Sequence, residues 1–363
     1  MSEGIYHKHG GDVRDAFERF GIPERAVVDF SVNTNPLGPP PEVLRIWQDA
    51  RRIVERYPSA EGRKVVEFYS KRFAVAEECV VAGCGSMEFI YLLPQVIEPS
   101  SVTVLMPTFY NYSHALKVCG IEPEPLWLEP SKGFEVEGVE FFSSLSECDM
   151  LWLCRPNNPT GTLVPKTVVL ELLEWLPRTI VVVDETFIQF AEGFPEESLI
   201  PEIERYENLV VLHSLTKFYG LAGLRVGALM SSPAVAERIR RAKPPWTVNT
   251  PAELAAERLT ECGDYEKKTI RLVKEERRRL ADRFKGLSGI RLFRSRANFF
   301  LARWQAQGEL DHLLRELLLR GIYIRDCRNF PALEDGYFRF AVKMPHENDA
   351  LLSALREITT GCG

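Results

Sequence analysis

The sequence has no apolar run near the ~18 residues that a membrane-crossing helix needs, so no membrane span is expected. It has no basic excess. Its 45 Lys and Arg stand against 51 Asp and Glu, a formal net charge of -6, which argues against a nucleic-acid partner. The densest basic stretch, "KKTIRLVKEERRRLADRFK" at 267–285, interleaves apolar residues at helical spacing. That pattern is the solvated face of a long helix. None of the eight cysteines forms a C-x-x-C. The opening "MSEGIYHKHGG" lacks the apolar segment of a signal peptide. These absences predict a cytoplasmic chain with reduced, mostly buried thiols. Histidine is scarce, with six residues. His7 and His9 form an H-x-H, but no Asp or Cys nearby completes a ligand set, and no metal site is expected. Repeats and low-complexity tracts are also missing.

What is present is enough apolar residue, 45% of 363, to build a sizeable core, and the length suggests two domains. Residues 1–50 read as an arm. In it "DVRDAFERFG" is a short amphipathic helix opened by Asp12 and closed by Gly21, and "SVNTNPLGPPP" is a loop. Residues 51–255 read as a large α/β domain. "CVVAG", "SVTVLMP", "DMLWLCRP", "TIVVVDE" and "NLVVLHS" are apolar without in/out alternation, as strands buried on both faces are. "GSMEFIYLLPQVI", "NYSHALKVCG" and "KTVVLELLEWL" are the helices between them. The pattern predicts a three-layer α/β/α domain on a mostly parallel sheet. Residues 256–363 read as a smaller α+β domain, completed by the arm. It holds a long helix at about 263–286, strands "ANFFLARW", "IYIRD" and "GYFRFAV", a helix "LDHLLRELLLRG" and a last helix from about 347.

Ligands of open parallel sheets bind beyond the carboxyl ends of the strands. Here "CVVAG" runs into Gly83, Gly85 and Ser86, "DMLWLCRP" into "NNPTG", "TIVVV" into Asp184, and "NLVVL" into "HSLTK". Singly each is ordinary: a turn, a β-turn, a helix cap. Together they predict that a helix start, an Asn, an Asp and a Lys converge on one rim.

"NNPTG", "VVVDE" and "SLTKFYGLAGLRVG", in that order, resemble the fold-type I pyridoxal-phosphate enzymes, the class I/II aminotransferase superfamily. The spacings, 26 residues from Asn158 to Asp184 and 33 from there to Lys217, fit that family, and the resemblance spans nearly the whole chain. It implies that Lys217 holds pyridoxal 5′-phosphate as a Schiff base and that Asp184 keeps the ring nitrogen protonated. Asn158 matches the donor to the phenolic O3′. Gly85, Ser86 and Met87 at a helix start, Ser214, Thr216 and Arg225 match the phosphate cup. Phe109 matches the aromatic that stacks on the ring. Tyr57 matches a tyrosine that reaches the phosphate from the partner subunit, which implies a homodimer.

Within the superfamily the chain is similar to two subfamilies, the threonine-phosphate decarboxylases and the histidinol-phosphate aminotransferases. Three features resemble the decarboxylases. One is the arm, with its H-G-G and "DFSVNTNPLG". The others are Phe187, where the aminotransferases normally carry tyrosine, and Trp246 in "KPPWTVN". Cys84 in "AGCGSME" and Thr186 in "DET" depart from the usual residues. This resemblance implies decarboxylation of L-threonine O-3-phosphate to (R)-1-aminopropan-2-yl phosphate for cobalamin biosynthesis, with a histidinol-phosphate aminotransferase of histidine biosynthesis as the alternative. It implies His9, Gly10, Asn33, Asn158, Arg325 and Arg339 as substrate groups. Two arginines suit a substrate with both a carboxylate and a phosphate, and the sequence leaves open which takes which. A non-catalytic reading is disfavoured because the Schiff-base lysine is intact.

Overall fold

The structure, a computed structural model, describes residues 10–145, 147–333 and 336–361. The arm begins with the helix Val13–Phe20. The Asp12 carboxylate accepts from the Asp15 N–H at its start, and Gly21 ends it in the left-handed region at φ 62°. Its apolar face is narrow: Phe17 and, just past the helix, Ile22 bury against Leu318 of the C-terminal region. Strand β1 (Val28–Asp29) then pairs parallel with Ile322–Tyr323. The arm is thereby attached to the small domain at two places.

Seven strands form the large sheet: β2 (Val80–Gly83), β3 (Val102–Met106), β4 (Glu124–Trp127), β5 (Met150–Cys154), β6 (Ile180–Asp184), β7 (Leu209–Ser214) and β8 (Gly227–Ser231). Their order is β2-β8-β7-β6-β5-β3-β4. Only β8 runs antiparallel to its neighbours among the described pairings. The five strands expected from apolar runs are all present. β4 and β8 were not anticipated. β4 is an exposed edge strand containing Pro125, and an edge strand needs no apolar run. β8 begins at Gly227, directly after the turn that carries Arg225.

Side chains alternate across each strand, so the two faces bury different residues. On one face, Phe89, Ile90 and Leu93 of helix Ser86–Ile97 pack with Val104, Trp152, Val182 and Val210. On the other, helices Arg63–Phe73, Lys166–Trp175 and Thr250–Leu259 pack on Leu151, Val181 and Val211. Burying both faces is what the continuous Val/Ile/Leu strands require. The last of these helices runs past residue 255.

The small domain is an antiparallel sheet of β9 (Ile290–Leu292), β10 (Phe299–Trp304), β12 (Arg325–Asp326) and β13 (Tyr337–Ala341), in the order β12-β13-β10-β9. Helices Gly263–Phe284, Leu310–Leu319 and Pro345–Gly361 cover it, with Leu280, Phe300, Leu313, Phe338, Phe340 and Leu355 in its core. The stretch expected as one strand, "IYIRD", is two. β11 (Ile322–Tyr323) serves β1 of the arm and β12 serves β13. The division lets one segment hold both the arm and the inner sheet.

Candidate active site

A cavity of about 350 Å³ opens at the carboxyl ends of the large-sheet strands, roofed by the small domain and by the first described residues of the arm. At one end the helix Ser86–Ile97 starts, and its first N–H groups have no intrahelical acceptor. Gly85 precedes it at φ 76°, and a Cβ there would lie 2.8 Å from the Arg225 guanidinium. Only glycine lets that cation close over the helix start. Ser214 and Thr216 complete this corner, their hydroxyls 2.8 Å apart. Within the described residues, the Arg225 guanidinium is held by the Ala222 carbonyl, at 3.2 Å, and by no carboxylate. Helix start, two hydroxyls and an unneutralised arginine make an anion cup.

Asp184 ends β6 on the cavity floor, 4% exposed. Its carboxylate accepts from the Tyr112 hydroxyl at 2.8 Å and from the Thr186 N–H at 2.9 Å. Both donors are neutral. Burial raises the Asp184 pKa above the usual carboxylate range, and those donors and the Lys217 charge only partly oppose it. Lys217 stands on the short helix that follows β7. Its amine is pushed down to about 8, first by burial and then by the charges of Arg339 and Arg225. An amine in that range can be neutral or charged near physiological pH.

Asn158 reaches the cavity, whereas its neighbour Asn157 is structural. The Asn157 side chain accepts from Thr108 at 2.7 Å and donates to the Pro107 carbonyl at 2.8 Å. Phe109 lines the wall, edge-on to Tyr112 with centroids 5.6 Å apart. Phe187 lines it too and packs edge-on against Phe299 at 5.1 Å. The Arg339 guanidinium lies over the same Phe299 ring, 5.2 Å from its centroid.

On the roof side Arg339 is buried, and within the described residues its hydrogen-bond partners are neutral acceptors, Asn158 Oδ1 and the Ser31 carbonyl. Among the described residues its Nε has no hydrogen-bond partner, nor has Asn33 Oδ1. Burial lowers the Arg339 pKa to about 10. A buried guanidinium hydrogen-bonded to neutral acceptors is expensive unless an anion joins it. Arg325 opens β12 at the cavity, donating to Asn329 Oδ1 at 2.8 Å and to the Asp326 carbonyl, with its guanidinium over Phe330.

The cavity therefore gathers Ser86, Met87, Phe109, Asn158, Asp184, Ser214, Thr216, Lys217 and Arg225 with Gly10, Asn33, Arg325 and Arg339. Gly85 borders it through Arg225. His9 lies outside the described residues. Tyr57 does not line the cavity. It is 86% exposed on the surface, with Trp246 (53% exposed) 5.7 Å away. Sequence reasoning missed Tyr112, Ser31, Asn329 and Phe330, and it noted Thr186 only as a departure from the usual residue. Tyr112 was findable, because it sits one helical turn after Phe109. Asn329 and Phe330 follow Arg325 in the loop at a strand end.

The donor set fits pyridoxal phosphate on three counts. The cup wants a dianion, Lys217 offers an amine near neutrality, and the buried Asp184 has neutral donors but no hydrogen-bonded cation among the described residues. A protonated ring nitrogen would supply that cation.

Comparison with known proteins agrees with this reading. The family model for aminotransferase class I and II matches residues 25–355. The chain belongs to that family, and its cofactor is pyridoxal phosphate. It is 34% identical over 357 residues to the threonine-phosphate decarboxylase of Salmonella typhimurium, covering 97% of each chain. It is 32% identical over 350 residues to a histidinol-phosphate aminotransferase of Desulfitobacterium hafniense, covering 94% of each. Among solved structures, L-threonine-O-3-phosphate decarboxylase from Porphyromonas gingivalis superposes with a TM-score of 0.81 at 25% identity, covering 91% of this chain and 98% of that one. Among the described residues no helix is long and apolar enough to cross a membrane.

Proposed function

We propose that this chain is a decarboxylase of L-threonine O-3-phosphate, releasing carbon dioxide and (R)-1-aminopropan-2-yl phosphate for cobalamin biosynthesis. The observation that carries the reading is the pair of cationic groups, Arg339 and Arg325, on the roof of one cavity already equipped for the cofactor. Each guanidinium there is hydrogen-bonded to neutral acceptors within the described residues. Two cations without carboxylate partners match a substrate with two anionic ends. The apolar Phe187 adds to it, since it leaves the wall without the hydroxyl that the related aminotransferases normally carry.

Bound pyridoxal phosphate supplies an aldehyde for the substrate amine and a conjugated ring that accepts the electron pair left when a bond at Cα breaks. The protein's part is binding, orientation and proton handling. The helix start at Gly85, Ser86 and Met87, with Ser214, Thr216 and Arg225, holds the cofactor phosphate. Asp184, supported by Tyr112, holds the proton on the ring nitrogen. Asn158 donates toward the phenolic oxygen and Phe109 covers one face.

The substrate Cα must lie close to Lys217. Arg339 is the nearer arginine electrostatically, being the largest charge acting on that lysine. Arg339 therefore takes the α-carboxylate, and Arg325, Asn33 and the arm take the phosphate farther out. Held at Arg339, the carboxylate is turned so that its bond to Cα is the one that breaks. Lys217 Nζ, poised near pH 8, returns a proton to Cα. A homodimer in the cytoplasm, with the partner's Tyr57 reaching the cofactor phosphate, belongs to the same proposal. It gives a role to a tyrosine otherwise left on the surface.

The test is carbon dioxide release from L-threonine O-3-phosphate by the cofactor-loaded enzyme with no keto acid present. Stoichiometric release supports the reading. Turnover of histidinol phosphate only when 2-oxoglutarate is added would replace it with the aminotransferase.

A further inference from the structure

The arm is bound to the small domain next to both substrate arginines, and by charge rather than by apolar area alone. From the arm helix, Arg19 Nη2 donates to both Asp311 oxygens, at 2.6 and 2.8 Å, and Arg19 Nη1 reaches Asp326 at 3.3 Å. Arg328 closes the cluster. It holds Asp326 from Nε at 3.1 Å and Nη2 at 2.7 Å and also bonds Asp311. Asp326 directly follows Arg325, and its backbone carbonyl accepts from the Arg325 guanidinium. One residue thus ties the arm, through its side chain, to Arg325, through its carbonyl.

The other end of the arm reaches Arg339 in a similar way. The Gly11 N–H donates to Ser31 Oγ at 2.7 Å, that hydroxyl donates to Asp29 at 2.6 Å, and the Ser31 carbonyl accepts from Arg339 at 2.8 Å. Gly10 packs so closely that a Cβ would lie 2.4 Å from the Ser31 oxygen. In this docked position the arm puts Gly10 on the cavity wall. A second cavity of about 340 Å³ lies under the arm helix, between Arg19 and Phe20 on one side and Leu314 and Tyr323 on the other, and shares Arg325 and Asn329 with the active site. The apolar contact beneath the helix is accordingly incomplete, and the ion cluster adds to the burial of Phe17 and Ile22 and to the β1–β11 pairing. Exposed single ion pairs contribute little, but a four-membered cluster with a forked arginine fixes geometry.

We propose that Arg19 is a positioning residue for substrate: through Asp311 and Asp326 it docks the arm, and the docked arm sets the Arg325 guanidinium and the Gly10 wall for the distal phosphate. The proposal rests on the functional reading above. Arg19 touches neither cofactor nor reacting atoms, so its loss acts on substrate capture and not on the chemical step.

The experiment compares Arg19→Ala and Arg19→Lys with wild type, all cofactor-loaded, by steady-state decarboxylation and by amide hydrogen exchange over residues 10–20. Arg19→Ala is expected to raise KM for threonine phosphate about tenfold with kcat within about twofold, a loss of binding shared by ground and transition states. Arg19→Lys should recover part of that KM. Exchange across the arm should quicken in Arg19→Ala and not in the large domain. Should Arg19→Ala not fold, Asp311→Asn carries the same expectation. An unchanged KM, a fall in kcat alone, or unchanged arm exchange would overturn the proposal. If wild type itself releases no carbon dioxide, the functional reading fails, and the exchange comparison still judges whether Arg19 holds the arm.

Discussion

The Tyr112 hydroxyl donates to Asp184 Oδ2 across 2.8 Å, in a site where both groups are almost wholly buried. Asp184 has two neutral donors and a pKa raised chiefly by burial. The hydroxyl therefore helps keep the carboxylate ionised until a cationic ring arrives. Tyr112→Phe removes a hydrogen bond of about 1 kcal/mol, so cofactor affinity and kcat should each fall by roughly fivefold. Absorbance titration of the apoprotein with pyridoxal phosphate checks the first. An unchanged dissociation constant would mean that Tyr112 matters only for packing on Trp152.

Lys217 should govern the pH dependence of cofactor uptake. Its pKa is lowered to about 8, so the neutral amine that attacks an aldehyde accumulates as pH rises through about 8. The uptake rate should climb through that range and then level. Arg339 is the largest charge depressing this pKa, after burial. Arg339→Leu should consequently move the midpoint upward. A wild-type midpoint near the ordinary lysine value, or no upward movement in the variant, would contradict this.

Phe187 makes a spectroscopic prediction. A hydroxyl placed there would give the cofactor's phenolic oxygen a second donor, worth about 1 kcal/mol, and would stabilise its anion once the lysine–cofactor linkage loses its proton. Phe187→Tyr should therefore shift the visible-absorbance titration of the loaded enzyme to lower pH. A shift to higher pH, or none, would show that the ring does not face that oxygen.

Stability should depend on a buried pair behind the site. Arg155 and Glu185 side chains are both 0% exposed and 3.0 Å apart, and Arg155 also donates to Glu197 and to the Val164 carbonyl. Glu185 directly follows Asp184, so the pair braces the end of β6. Arg155→Met leaves the Glu185 charge unpaired and should cost about 3–5 kcal/mol in denaturant unfolding. A change below about 1 kcal/mol would show that Glu185 is protonated or reached by water.

The strand ends of the large domain were legible because function and fold coincide there. Apolar runs name buried strands, and the polar residues that end them, Asn158, Asp184 and Ser214, have no structural reason to gather on one rim. β4 and β8 were not legible, one because an edge strand with Pro125 has no apolar signature, the other because it runs straight on from a glycine-rich turn with no polar residue to set it apart. The split of "IYIRD" was hidden for another reason. Two partners from distant parts of the chain, β1 and β13, claim its two halves, and no local pattern records that. Tyr112 and Ser31 act through the residues they touch, and a sequence without coordinates does not say what touches Asp184 or Arg339. Tyr57 and Trp246 share an exposed surface and do not line the cavity, so the proposed role of Tyr57 depends on the proposed dimer.

The most direct measurement follows the fate of the substrate's Cα hydrogen and carboxylate together. Threonine phosphate labelled with carbon-13 at the carboxylate is turned over in deuterium oxide without a keto acid. The account predicts labelled carbon dioxide and an aminopropanol phosphate that keeps its original Cα hydrogen and gains one deuterium. Loss of the Cα hydrogen with the label retained in a keto acid product would contradict it and identify a transaminase.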